Sequence, residues 1–331
     1  MKNSDDRKRI RHLDMAKGIG IFCIVIGHSY SYYIGNGNKV IPFLFSFHVP
    51  IFFIITGILY SRRDAVCINV MKKIRELIIP YFIWGGIYQL CLLCLSLIGG
   101  EDVGAQIGSR VLTILQLTSG AMWFLPTMFV STILFQLSSR TRNKRYQWAF
   151  CIVAFIIGVI APHNSVIAES LWRGLIGFSF ITIGYYCNAL FKRKTKPLIW
   201  ALLLIVDVVL ISFYGTADLA RRSFGFIPLY LLISLLGCWL CISGCNYLEL
   251  KCSNAVCKSF ERLGQYSIVV LCTHQIILAV LQVLDYRVLN YGIQRLGELE
   301  GIIMAIIILI IIYLLLPVLI RLMGWSFGIN S

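Results

Sequence analysis

The chain has 331 residues, of which 58% are hydrophobic and only 14% charged. Soluble globules carry nearer a quarter charged residues, so this balance excludes a water-soluble enzyme and fits a chain that lives mostly in lipid. A formal net charge of +15 would suit a nucleic-acid binder, but the placement of the basic residues along the chain argues against one.

The N-terminal stretch MKNSDDRKRIRH is basic and precedes an apolar run, as in a secretory signal. No small-residue cleavage site follows, so the run reads as a retained first membrane helix. Helices of about 17–25 apolar residues can cross a bilayer. Ten stretches qualify: 14–33, 41–60, 77–98, 122–138, 147–162, 170–191, 198–214, 225–245, 267–285 and 301–323. The span beginning at Leu198 is short and carries Asp207. Residues 103–120 are amphipathic and suit the interface. No polar stretch is long enough for a separate core. The expected fold is therefore one all-α integral membrane domain over residues 1–331, a bundle of about ten transmembrane helices.

With the N-terminus in the cytoplasm, the cytoplasmic segments hold 22 of the 30 lysines and arginines. The outer segments hold six: Lys39, Arg110, Arg221, Arg222, Arg287 and Arg295. Lys17 and Arg173 lie at span ends. Basic residues concentrate on the cytoplasmic side of membrane proteins, so both termini are expected there. None of the 12 cysteines falls in an outer segment, where disulfides would form. Cys91/Cys94 and Cys238/Cys241/Cys245 have helical spacing and read as packing residues, not metal ligands.

An ionisable residue inside a membrane span marks a functional site by default, because hydrocarbon does not tolerate it unpaired. Lys17 and His28 are eleven residues apart in KGIGIFCIVIGHS. They fall within roughly 20° on one helix face, about 16 Å apart along the axis. His48, in FSFHVPIFFIITG, lies at a depth similar to His28, about 9 Å below the outer surface. His28 and His48 are the candidate catalytic residues. An imidazole there suits a general base or a covalent acyl carrier. No G-x-S-x-G elbow is present, and a metal site would need a third ligand.

MKKIRELIIPY places Lys72, Lys73 and Arg75 at the start of the third span. With Lys17 they form a candidate phosphate pocket. AMWFLP places Trp123 and Phe124 at the outer mouth of the fourth span. Glu169 and Arg173 are one turn apart and expected to pair. Trp123, Glu169 and Arg173 are acceptor-side candidates. Asp207 lies mid-span and His274 in the ninth span, as polar positions suited to structural contacts.

At these residues the sequence resembles the acyltransferase-3 family of integral membrane O-acyltransferases, which includes fucose 4-O-acetylase-like enzymes. RHLDMAKGIGIFCIVIGHS is similar to that family's opening signature, a basic residue followed by histidine, with Lys17 where arginine is usual. FHVPIFFIITG resembles its histidine-proline-aromatic run. KKIRELIIPY resembles its basic third-helix start, with Lys72 in place of a first arginine and Arg75 matching the second. WFLPTMF, FSFITIGYY and LGQYSIVVLCTHQII are similar to later landmarks. The resemblance covers about residues 9–280. It implies transfer of an acyl group, commonly acetyl, from cytoplasmic acyl-coenzyme A to a hydroxyl of a surface glycan or lipid-linked sugar. It makes His28 the essential histidine, with acyl-coenzyme A a co-substrate and no bound cofactor. The setting is a multi-pass protein of a bacterial plasma membrane, its partners the bilayer, donor and acceptor, and no nucleic acid. The rival reading is a transporter or flippase whose histidines relay protons.

Overall fold

A computed structural model describes residues 10–33, 40–60, 70–141, 143–163, 166–191, 193, 195–214, 217–251, 254–288, 290 and 299–329. Among them every extended element is a helix, apart from one isolated bridge between Asp218 and Ser223. In chain order the helices are α1 (Arg11–Tyr33), α2 (Val40–Phe47), α3 (Pro50–Leu59), α4 (Val70–Gly99), α5 (Val103–Leu115), α6 (Phe124–Ser139) and α7 (Lys144–Ile160). They continue as α8 (Val166–Tyr186), α9 (Pro197–Tyr214), α10 (Ile227–Lys251), α11 (Ala255–Gln265), α12 (Ser267–Arg287) and α13 (Glu300–Met323). The basic N-terminus, the loop with Lys39, the pair Arg62 and Arg63, and Arg295 lie outside the described residues.

Seven helical stretches among the described residues are long and apolar enough to cross a membrane: Pro42–Leu59, Val70–Gly99, Val103–Ser139, Pro197–Tyr214, Ile227–Lys251, Ser267–Arg287 and Glu300–Phe327. The other three expected spans are helical, as α1, α7 and α8, but fall short of that measure. The reason is legible in the first two. α1 carries Arg11, Asp14, Lys17 and His28, and α7 has only 17 residues and opens on Lys144 and Arg145. α1 is also walled in by α10, α11, α12 and α13, with Ala16 and Val25 fully buried. A helix surrounded by protein need not match lipid around its whole circumference.

Two prolines bend the helices that matter most. The expected span 41–60 is broken at His48 and Val49, because Pro50 has no N–H to give the carbonyl of Ser46 and its ring crowds that oxygen. α10 satisfies the freed group: Ser234 Oγ donates to Ser46 O at 2.6 Å, and Cys238 Sγ lies 3.8 Å from Phe47 O. The break leaves His48 at the joint between α2 and α3. In α4, Pro80 has the same effect on Glu76, and the helix widens into a π turn over Ile74–Ile78, where the Ile79 N–H reaches Ile74 O.

α11 has no counterpart among the expected spans. Asn254 caps it, accepting from the Cys257 N–H at 2.9 Å. It lies flat against the start of α1, fastened by Arg11 on Glu261 at 2.7 Å, while His12 meets Glu249 of α10 at 2.7 Å. The contact depends on two glycines. A methyl group at Gly264 would collide with the carbonyl oxygen of Asp14, and one at Gly18 with that of Phe260. Backbone cannot give way as a side chain can. Gly264→Ala is therefore expected to destabilise the protein by about 2–3 kcal/mol, read as a fall in melting temperature in detergent; an unchanged melting temperature would show that the helices separate freely.

Candidate active site

His28 sits on α1 beside α12. Its ring centroid is 5.2 Å from that of His274, and Gln275 Nε2 is 3.4 Å from His28 Nδ1. The Gln275 amide is oriented by its other end. Its Oε1 accepts from the backbone N–H of Ala121 at 2.6 Å, and a backbone N–H can only donate. The Nε2 group of Gln275 is thereby left to donate toward His28. The neutral His28 ring then keeps its lone pair on Nδ1 and its proton on Nε2.

The Ala121 contact explains the shape of the turn that supplies it. Gly120 has φ +52°, and any Cβ there would strike Gln275 Oε1. A non-glycine residue would be both strained and in collision. The AMWFLP segment is thus placed beside His28 through Gln275, with Trp123 ending that turn.

The two other buried histidines are set by local bonds. His274 Nδ1 donates to Val270 O at 2.9 Å, so its Nε2 is the lone-pair nitrogen; that atom is buried and has no hydrogen-bond partner. His48 Nδ1 donates to Leu44 O at 2.8 Å. Phe45 links His48 to α1: its ring lies 4.7 Å from the His48 ring and rests against Gly27.

A cavity of about 830 Å³ opens over His28. α4 contributes Tyr88, Leu92, Leu95, Ser96 and Gly99, and α12 contributes Gln275, Leu278, Ala279, Gln282, Val283, Tyr286 and Arg287. Both sets recur every three or four residues, one face of each helix. Gln275 to Arg287 is a rise of roughly 18 Å, and Tyr88 to Gly99 is roughly 17 Å. The helices run side by side in the same direction. At the far end Arg287 Nη2 donates to Ile98 O at 2.6 Å. The cavity is therefore a cleft with His28, Tyr88 and Gln275 as its floor. Glu101, Arg221 and Arg287 line it toward the mouth, and Arg110 reaches down to Gln89, next to Tyr88. Hydrogen bonds from Gln106 and Ser96, with Arg110 nearby, hold the Glu101 carboxyl below the ordinary carboxylate range, so it is charged at neutral pH.

The three lysines expected to bind the donor each have an acidic neighbour. Lys17 Nζ lies 2.6 Å from Asp14 Oδ1, Lys73 Nζ 2.7 Å from Glu76 Oε2, and Lys72 Nζ 3.7 Å from Glu76 Oε1. Arg75 falls in the π turn, whose backbone abuts Gly328. Lys17 sits where α1 meets α11, and the lysine pair where α4 meets α6. Asp207 is fully buried with both carboxylate oxygens unbonded, against an apolar groove between α9 and α10.

Glu169 and Arg173 pair at 3.7 Å, as expected from their spacing. Glu169 is held more closely by Arg222, whose Nε and Nη2 reach its two oxygens at 2.8 and 2.7 Å. Arg173 lies over the Trp123 ring at 5.1 Å, with Nε and Nη1 buried and without hydrogen-bond partners. Trp123, Glu169 and Arg173 do not line the cleft over His28.

Comparison with known proteins reads the same chemistry. The family model for the acyltransferase-3 group, described as an acyltransferase domain, matches residues 10–323. The chain belongs to the acyltransferase-3 family. A relative is the nodulation protein NolL of Mesorhizobium japonicum, 29% identical over 156 residues. That match spans 44% of this chain and 39% of the relative, so the chain aligns with well under half of that protein. No solved structure matches.

Within this family framework, the residues that the sequence reading passed over are those of the cleft: Tyr88, Gln275, Glu101, Arg110, Arg221 and Arg287. Gln275 had one visible signal, a second polar side chain directly after His274 in an apolar span. The arginines were visible only as outer charges.

Proposed function

We propose that the chain takes an acyl group, acetyl in the simplest case, from cytoplasmic acyl-coenzyme A and places it on a hydroxyl of a cell-surface glycan or its lipid-linked precursor. One observation carries this reading: in a chain of an acyltransferase family, His28 forms the floor of a deep cleft and is held there by Gln275. The topology it requires is ten crossings, a single domain over 1–331 and both termini in the cytoplasm of a bacterial cell.

His28 is the catalytic residue, with His48 beside it. In the direct route the acceptor hydroxyl takes the place of Gln275 Nε2 at His28 Nδ1, gives its proton to that lone pair, and its oxygen bonds to the thioester carbonyl carbon. The carbon–sulfur bond breaks, and the departing thiolate takes the proton back. In the two-step route the imidazole nitrogen itself attacks the thioester carbon, the carbon–sulfur bond breaks and the thiolate takes the ring proton; the acyl-imidazole then passes its group to the acceptor oxygen, whose proton returns to the ring. Lys17, Lys72, Lys73 and Arg75 receive the donor phosphates. The roughly 16 Å from Lys17 to His28 along α1 suits a stretched donor. Trp123, Glu169 and Arg173 act on the acceptor side.

The test is incubation of isolated membranes with labelled acetyl-coenzyme A. Label in the glycan or lipid fraction supports the reading; none there, with no donor binding, overturns it in favour of transport. Gln275 is a positioning residue in this scheme. Gln275→Leu removes the donor to His28 and strands the Ala121 N–H, a loss of about 1–3 kcal/mol. The expected outcome is a fall in kcat of about tenfold with the donor KM unchanged; a changed donor KM alone would contradict it.

A further inference from the structure

Of the six basic residues on the proposed outer side, Lys39 and Arg295 lie outside the described residues. Arg222 is consumed by Glu169. The remaining three, Arg110, Arg221 and Arg287, all line the cleft that descends to His28. The outer side of a membrane protein is ordinarily poor in such residues, so their convergence on one opening calls for a cause.

Their partners leave charge to spare. Arg110 donates to two neutral amide oxygens, Gln89 Oε1 at 3.3 Å and Gln106 Oε1 at 3.1 Å. Arg287 donates to the Ile98 backbone carbonyl. Among the described residues neither has a carboxylate within salt-bridge distance. Arg221 is 3.6 Å from Asp218 and its side chain is 86% exposed. Glu101 is the one acid lining the cleft. Three guanidinium groups against two carboxylates, Glu101 and the Asp218 beside Arg221, leave a positive collar along the cleft, from Arg287 at its mouth down to Arg110 beside Gln89.

We propose that this collar selects an anionic acceptor, one carrying a phosphate or carboxylate group. Guanidinium groups suit both through paired N–H donors. The cleft also sets a distance. A charged group held at Arg287 rests roughly 18 Å above Gln275 along the helix, whereas Arg110, bonded to Gln89 beside Tyr88, meets one lying closer to His28. The inference rests on the acyl-transfer reading above and names the acceptor's chemical class.

The experiment uses the full-length protein and the double variant Arg110→Gln/Arg287→Gln in membranes of the producing cell, with labelled acetyl-coenzyme A. The labelled product is passed over an anion-exchange column. Retention of the product, together with a rise of about tenfold in the acceptor requirement of the double variant at unchanged donor KM, is the expected result. A labelled product that passes unretained, or a double variant with wild-type acceptor dependence, overturns the proposal and leaves acyl transfer standing. No labelled product from the wild type overturns both. A second arm compares phosphatidylcholine nanodiscs with ones containing phosphatidylglycerol. If the arginines instead hold lipid headgroups, native mass spectrometry finds bound phosphatidylglycerol that the double variant loses, with product formation unchanged. That outcome also overturns the proposal.

Discussion

His28→Ala membranes are expected to transfer acyl label at a rate lower by a factor of about 10²–10⁴, the range for removal of a positioned acid–base group. The two routes separate within this one variant. If His28 only removes a proton, a small residual rate remains and rises with pH, because hydroxide substitutes for the missing base. If His28 carries the acyl group, wild-type protein denatured rapidly near neutral pH retains label that the variant lacks. The substitution should leave the fold intact. His28 is half-buried at the cleft floor, so its loss enlarges an existing cavity and opens no new one in the core. An unaltered melting temperature checks this. His28→Ala membranes that acylate at the wild-type rate would exclude both routes together.

The elements were legible to very different degrees. The apolar runs of α4, α10, α12 and α13 announce themselves, since lipid-facing helices must be apolar over about 20 residues. α1, α7 and α8 are helical where their apolar runs predict. Pro50 and Pro80 were visible as letters. That Ser234 would cap the carbonyl exposed by Pro50 was not, because the partners are 188 residues apart. α11 escaped notice for a related reason. It has eleven residues, is polar on one face, and earns its place only through a glycine contact with α1 that spacing does not reveal.

The cleft shows the limit most clearly. The stripes on α4 and α12 look like ordinary helical periodicity when each is read alone, and they face one another only in three dimensions. His28 stood out as a polar residue in an apolar run. Gln275 did not, because its role depends on a backbone N–H offered by a left-handed glycine turn in another segment.

Arg222→Met is expected to lower the unfolding free energy by about 3–5 kcal/mol, the cost of stranding a buried charge. The Arg222 side chain is fully buried. Besides both oxygens of Glu169, it donates to Gly158 O at 3.0 Å, Ala161 O at 2.9 Å and Pro162 O at 3.1 Å. One side chain thus fastens the end of α7, the start of α8 and the segment before α10. The arrangement holds even the backbone of Arg222 in the left-handed region, at φ +49°. Arg222→Lys should not rescue it, since one ammonium cannot reproduce the paired contact with Glu169 while meeting three carbonyls. Arg222→Met/Glu169→Met should recover most of the lost stability, because the stranded carboxylate is removed with its partner. Melting temperatures in detergent measure all three, and a lysine variant as stable as the wild type would contradict the clamp. The double variant also decides the role of Glu169. If stability returns and acyl transfer returns with it, Glu169 serves the fold alone. If stability returns without transfer, Glu169 acts on the acceptor as well, through Arg173 and the Trp123 ring beneath it.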